Sequence, residues 1–194
     1  QFAARADVEA QALFGGACQE NVRVDISLGG ARQRLVLRSD ARSTLPGSID
    51  RQAEFEVIQA VRDAGVKTPD ARWLTPNLLR PQTHAYFLDW VSGEAIGRRV
   101  VKSGELADAR RSLGVTLARQ LALIHSVTPE NHALRGLPVP EQGPAAHALE
   151  TLTVMLRSID GDFPSIELGL RWLRQRLPTD DTRVLVQSLD VGVI

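Results

Sequence analysis

The sequence predicts an α+β fold in which a small antiparallel sheet with one helix precedes a lobe built of helices. Three observations carry this. Residues 21–28 (N-V-R-V-D-I-S-L) alternate apolar and polar side chains around a Gly29-Gly30 turn, the period of a half-buried strand. From residue 106 onward the apolar residues recur in steps of three and four, the period of an amphipathic helix. Between these regions, S-G-E-A-I-G (92–97) interrupts both patterns.

The elements follow in order. A strand is expected near 11–14, then a Gly-containing loop, F-G-G-A-C-Q-E-N. Val22, Val24, Ile26 and Leu28 mark the next strand, and R-L-V-L-R (34–38) returns from the turn, so a hairpin is placed at 21–38. Residues 39–50 are rich in turn formers. Asp50 is positioned to cap a helix that buries Phe55, Ile58 and Val61 and stops at Gly65. A second hairpin candidate begins near V-K-T-P, and A-Y-F-L-D-W-V (85–91) supplies its strand.

In the second half, apolar positions 106, 109, 113, 117, 121 and 124 define one long helix. Gly114 inside it costs about 1 kcal/mol against Ala, which suggests close packing there. A Pro/Gly-rich connector spans 129–144. Leu149, Leu152, Leu156 and Ile159 mark a further helix, and Ile166, Leu170, Leu173 and Leu177 the last, closed by Pro178. V-L-V (184–186) reads as a short buried strand. The resulting division is a sheet lobe, 1–91, and a partial helical lobe, 92–194.

Composition narrows the functional classes. Hydrophobic residues make up 43% of the 194, enough for a core, and the formal net charge is +0. Charge balance argues against nucleic acid as a partner. No run of about 18 apolar residues suggests a membrane span. Cys18 is the lone cysteine and the four histidines lack ligand spacing, so no Cys-based zinc site is expected and a reducing, cytoplasmic setting is. The basic residues are nearly all arginine, with lysine only at Lys67 and Lys102.

Several stretches occur in an order shared with one family: F-G-G-A-C-Q-E-N-V-R-V-D, R-L-V-L-R, R-Q-A-E-F-E-V-I-Q-A-V, A-G-V-K-T-P, Y-F-L-D-W-V-S-G-E, L-A-L-I-H-S-V and L-R-W-L-R-Q-R-L-P. The chain resembles the aminoglycoside phosphotransferase-like small-molecule kinases, with their protein-kinase-like fold. Within them it is similar to the branch associated with acyl-CoA dehydrogenases. The resemblance implies ATP and Mg2+ as cofactors and a small hydroxylated acceptor. It places Gly15, Gly16 and Ala17 in the loop over the phosphates, where backbone N–H groups cradle anionic oxygens. It places Arg38 at the basic position of the third strand, paired with Glu54 of the helix. Asp89, Trp90 and Val91 fall on the linker that faces adenine, and His125 matches a scaffold histidine.

The resemblance also implies what to expect after V-L-V, where the family has His-Gly-Asp and later an Asn and a metal-binding Asp. Here Gln187, Ser188 and Leu189 stand at the first three. The expectation is a C-terminally truncated or degenerate member with no catalytic residue of its own. Asp190 is the one candidate for magnesium. A non-catalytic nucleotide-binding or protein-interaction domain is the alternative. Apolar helix faces at 105–127 and 165–177, left without later helices to cover them, suggest homo-oligomerisation.

Overall fold

The computed structural model describes residues 6–13, 20–40, 49–132, 134–137 and 139–178. Five antiparallel strands form one sheet: β1 (Asp7–Leu13), β2 (Glu20–Leu28), β3 (Ala31–Ser39), β4 (Ala71–Pro76) and β5 (His84–Asp89). Their spatial order is β1-β2-β3-β5-β4. Helix α1 (Arg51–Asp63) lies between β3 and β4 in the chain. Then come α2 (Gly97–Lys102), a 3-10 turn (Gly104–Leu106), α3 (Ala107–Ile124), α4 (Pro144–Arg157) and α5 (Pro164–Arg174).

The hairpin forms as its alternation predicts. Gly29 and Gly30 take φ of 57° and 84°, which a two-residue hairpin turn requires and glycine supplies without a Cβ penalty. Because side chains alternate across the sheet, β3 divides between two faces. Val36 packs with Ile58 of α1, Ala71, Tyr86 and Leu88, while Leu37 packs with Val24 and Ala85 on the other face. Register pairs Arg38 with Asn21 on one side and Tyr86 on the other, so all three share the face that α1 covers.

Helix α1 is capped by Asp50, whose side chain accepts from Ala53 N at 2.7 Å. It ends where Gly65 adopts φ 90°. Its far side meets the end of α3: Val57, Ala60, Val61, Val66 and Val127 form a cluster flanked by Leu123 and Ile124. Gln120 of α3 accepts from Lys67 N at 2.6 Å. This seam ties the sheet and α1 to the helical half.

Several expectations are corrected. The first strand covers Asp7–Leu13 rather than 11–14, since pairing to β2 runs the whole length from Asp7↔Ser27 to Leu13↔Asn21. Residues 97–102 form a short helix for which no element was expected. A Cβ on Gly114 would meet nothing within 4 Å, so close packing does not explain that glycine. The apolar faces of the later helices are only partly covered: Leu149 and Leu170 are buried, but Leu152, Ile159, Ile166 and Leu173 are exposed. No residue of α3 is fully buried. Periodicity reports which residues share a face, and little of the described chain lies over those faces. The expected strand 184–186 lies outside the described residues. Among the described residues, no helix is long and apolar enough to cross a membrane.

Candidate functional site

The centre of the site is a buried cluster of charge on the α1-facing side of the sheet. β3 delivers Arg38, 1% exposed, and α1 delivers Glu54, 4% exposed. Arg38 Nη2 donates to Glu54 Oε1 at 2.6 Å and Nε to Oε2 at 3.4 Å, while Nη1 donates to Asn21 Oδ1 at 3.2 Å. Two further donors converge on Glu54 Oε2: the Tyr86 hydroxyl at 2.6 Å and Arg51 Nη1. Arg51 stands one turn before Glu54 on α1, a spacing of three that puts both on one helix face.

Burial is the largest influence on Arg38 and Tyr86. It alone would pull the Arg38 guanidinium down, but the Tyr86 oxygen and Glu54 outweigh it and hold Arg38 above its ordinary value. Burial and then the Glu54 carboxylate push the Tyr86 phenol well above its ordinary range, so the phenol keeps its proton and donates. Charged partners make such hydrogen bonds roughly twice as strong as neutral ones. A carboxylate buried this deeply persists only with its oxygens satisfied, and four donor groups meet that need here.

Asp40, directly after β3, anchors the cluster to its surroundings. Its carboxylate accepts from Arg51 N at 3.1 Å and from His84 N at 2.7 Å, and Arg51 Nε lies 3.5 Å away. Arg80 donates to the Asp40 carbonyl and clasps Glu20 at 3.0 and 2.8 Å. The start of α1, the end of β3 and the β4–β5 hairpin therefore meet at one residue.

The linker residues lie at the end of β5. The Asp89 carboxylate is gripped by Arg72 at 3.0 and 2.9 Å. Asp89 N–H donates to the Asp70 carbonyl at 3.0 Å and Trp90 N–H to that of Arg34 at 3.3 Å. Arg34 also sits over the Trp90 ring at 5.4 Å. Of the three, Val91 is exposed, and its N–H makes no hydrogen bond among the described residues.

The structure thus brings Arg38 and Glu54 together and sets Asp89, Trp90 and Val91 at the strand end. Gly15, Gly16, Ala17 and Asp190 lie outside the described residues. Sequence reasoning missed Arg51, Tyr86, Asp40 and Asn21. Arg51 left a signal, the R-x-x-E spacing, and Tyr86 is the single tyrosine of the chain; Asp40 and Asn21 left none. Among the described residues, no three His, Cys, Asp or Glu side chains are grouped to hold a metal ion. The Arg38 guanidinium is permanently charged and has more N–H groups than its described protein partners use, chemistry compatible with an anionic ligand, and it lies buried beneath the described residues.

Comparison with known proteins bears on the fold and the family. A crystal structure from Ralstonia eutropha JMP134, of a protein provisionally named an aminoglycoside phosphotransferase, superposes with a TM-score of 0.62 at 22% identity. The match covers 94% of this chain and 51% of that one, so this chain spans about half the length of that relative. At that identity the likeness shows the fold, a kinase-like α+β architecture. A search of curated proteins finds no match. The family model described as "Phosphotransferase enzyme family" matches residues 10–186, nearly the whole length, and the chain belongs to that family.

Proposed function

We propose that this chain is the nucleotide-gripping part of a small-molecule phosphotransferase. Arg38 holds the ATP phosphates, Gly15, Gly16 and Ala17 cover them, and the Asp89–Val91 segment faces adenine. The observation that carries this reading is the buried Arg38–Glu54 pair between the third strand and the helix beside it. A cation buried at that place and held by a dedicated acid is costly for stability alone, and it suits a ligand that brings negative charge. Complete enzymes of the family move the ATP γ-phosphoryl to an acceptor hydroxyl: the new O–P bond forms, the bond to the β-phosphate oxygen breaks, and the hydroxyl proton leaves to a base. ATP and Mg2+ are the cofactors this reading requires. Mg2+ would neutralise phosphate charge, and no described residue is assigned to it. Asp190 is the sequence candidate. The acceptor is a small hydroxylated molecule, with no commitment to an aminoglycoside.

Calorimetric titration with ATP, with and without Mg2+, tests the reading. Micromolar binding is expected, weakened roughly 10- to 100-fold in Arg38→Ala, the range for a lost hydrogen bond to a charged group. A folded wild-type chain that takes up no ATP would refute it.

A second reading, nucleotide binding without turnover, is favoured by Gln187, Ser188 and Leu189 where the family carries His-Gly-Asp. Stoichiometric ATP binding without phosphate release, across a panel of hydroxylated acceptors, would support that reading. Acceptor-dependent ADP formation would exclude it.

A further inference from the structure

We propose that Arg51 and Tyr86 are positioning residues for the phosphate grip, fixing the Glu54 carboxylate so that Arg38 meets the nucleotide in one orientation. The inference rests on reading Arg38 as the phosphate ligand. It concerns how an arginine can fill a place that a lysine fills elsewhere.

A lysine ammonium is a point charge whose three donors rotate freely. A guanidinium is planar, and its usable N–H groups point in fixed directions. Arg38 spends Nε and one N–H of Nη2 on Glu54, and one N–H of Nη1 on Asn21. Among the described residues, one N–H on each Nη has no hydrogen-bond acceptor. Where those two point is set by the plane of the carboxylate against which the guanidinium lies. The terminal torsion of a glutamate is broad, so Arg38 alone does not fix that plane. The bond from Nε is long, 3.4 Å, beside 2.6 Å from Nη2. Oε2 is instead held by Tyr86 and Arg51, which approach from the sheet and from the preceding helical turn.

These two residues are themselves anchored. Tyr86 is fully buried in the core cluster, with its ring edge-on to Phe55 at 5.6 Å. Arg51 is 3% exposed and reaches the Ile49 carbonyl at 3.1 Å through Nη2. Its Nε faces Asp40 at 3.5 Å. The carboxylate is thus braced by side chains that have little room to move.

The test compares ATP with adenosine, which lacks the phosphates, on the full chain. Tyr86→Phe keeps the ring and its packing and removes only the hydroxyl; Arg51→Lys keeps the charge and removes the fork. Each is expected to weaken ATP about 2- to 12-fold, the range for one hydrogen bond, and to leave adenosine unchanged. In an Arg38→Ala background, Tyr86→Phe should produce no further loss, because the residue it positions is gone. Equal weakening of ATP and adenosine, or a loss that adds to that of Arg38→Ala, would mean a purely structural role and overturn the proposal. Should the wild type prefer ATP and lose that preference in Arg38→Ala but not in Tyr86→Phe, only the positioning role fails. Should the wild type bind ATP no better than adenosine, the phosphate reading of Arg38 fails and the positioning role with it.

Discussion

Glu54 is the residue on which the site depends. Two guanidiniums and a phenol converge on its carboxylate, so its loss leaves Arg38 and Arg51 buried without their acid. Removing one partner of a buried pair typically costs about 3–5 kcal/mol. Glu54→Ala is therefore expected to lower the urea midpoint sharply, and a change within 0.5 kcal/mol, a size usual for surface substitutions, would contradict the described burial. Tyr86 gives an independent readout because it is the single tyrosine. Its folded pKa is raised above the ordinary 10.0, chiefly by burial and then by Glu54. Its contribution to stability is therefore present below pH 10.0 and is lost as the pH climbs beyond it. The ultraviolet difference spectrum should show no phenolate at pH 10 in the folded chain and clear phenolate at the same pH in urea. The fall in melting temperature above pH 10 should be shallower in Tyr86→Phe.

Among the elements, the β2–β3 hairpin was the most legible, because a period of two flanking Gly-Gly admits one register that keeps Val22, Val24 and Ile26 on one face. β1 was less so: D-V-E-A-Q-A-L has small or polar residues in both phases, and most of the strand is exposed on the sheet edge. Helix α2 is six residues with no side-chain cap, too short for a periodic signal. Two glycines separate opening from crowding. Gly114 lies in the exposed body of α3 with nothing near a would-be Cβ, so Gly114→Ala should raise stability by about 1 kcal/mol through helix propensity. At Gly136 a Cβ would run into Ala53 of α1, whose Cα lies 2.8 Å away. Gly136→Ala should destabilise by about 1–3 kcal/mol, the usual cost of overpacking. Thermal melts of the two variants moving in the same direction would contradict one of these assignments.

At the scale of the molecule, the Arg38–Glu54 pair was legible through the family resemblance, which put a basic strand residue and a helix acid in matching places; the residues unaided did not single it out. Tyr86 and the Asp40–His84 contact became visible only once β5 was seen to lie beside β3, since strand order is a long-range outcome that local pattern does not encode, whereas Arg51 had left its R-x-x-E spacing in the sequence. Exposure of the apolar faces at 105–127 and 165–177 was expected from the helical periodicity together with the resemblance, and the described residues show it. Leu113, Leu117 and Leu121 on α3, with Ile166 and Leu173 on α5, stand exposed, apolar surface of the kind that favours association. The chain is expected to associate with itself as concentration rises, and Leu117→Glu with Leu121→Glu to shift it toward monomer in analytical ultracentrifugation. A concentration-independent monomer would count against that.

The near-absence of lysine has a consequence for chemical probing. Acyl-phosphate nucleotides tag an amine poised beside the phosphates, transferring their acyl group to the nitrogen lone pair. Here the buried cation is Arg38, whose guanidinium holds its proton at any working pH and presents no such nucleophile. The two lysines, Lys67 and Lys102, are both exposed. A survey of nucleotide-binding proteins by lysine-directed labelling would therefore pass over this chain even if it were saturated with ATP. Photo-crosslinking through the adenine ring, which needs no amine, is the route by which occupancy would be seen.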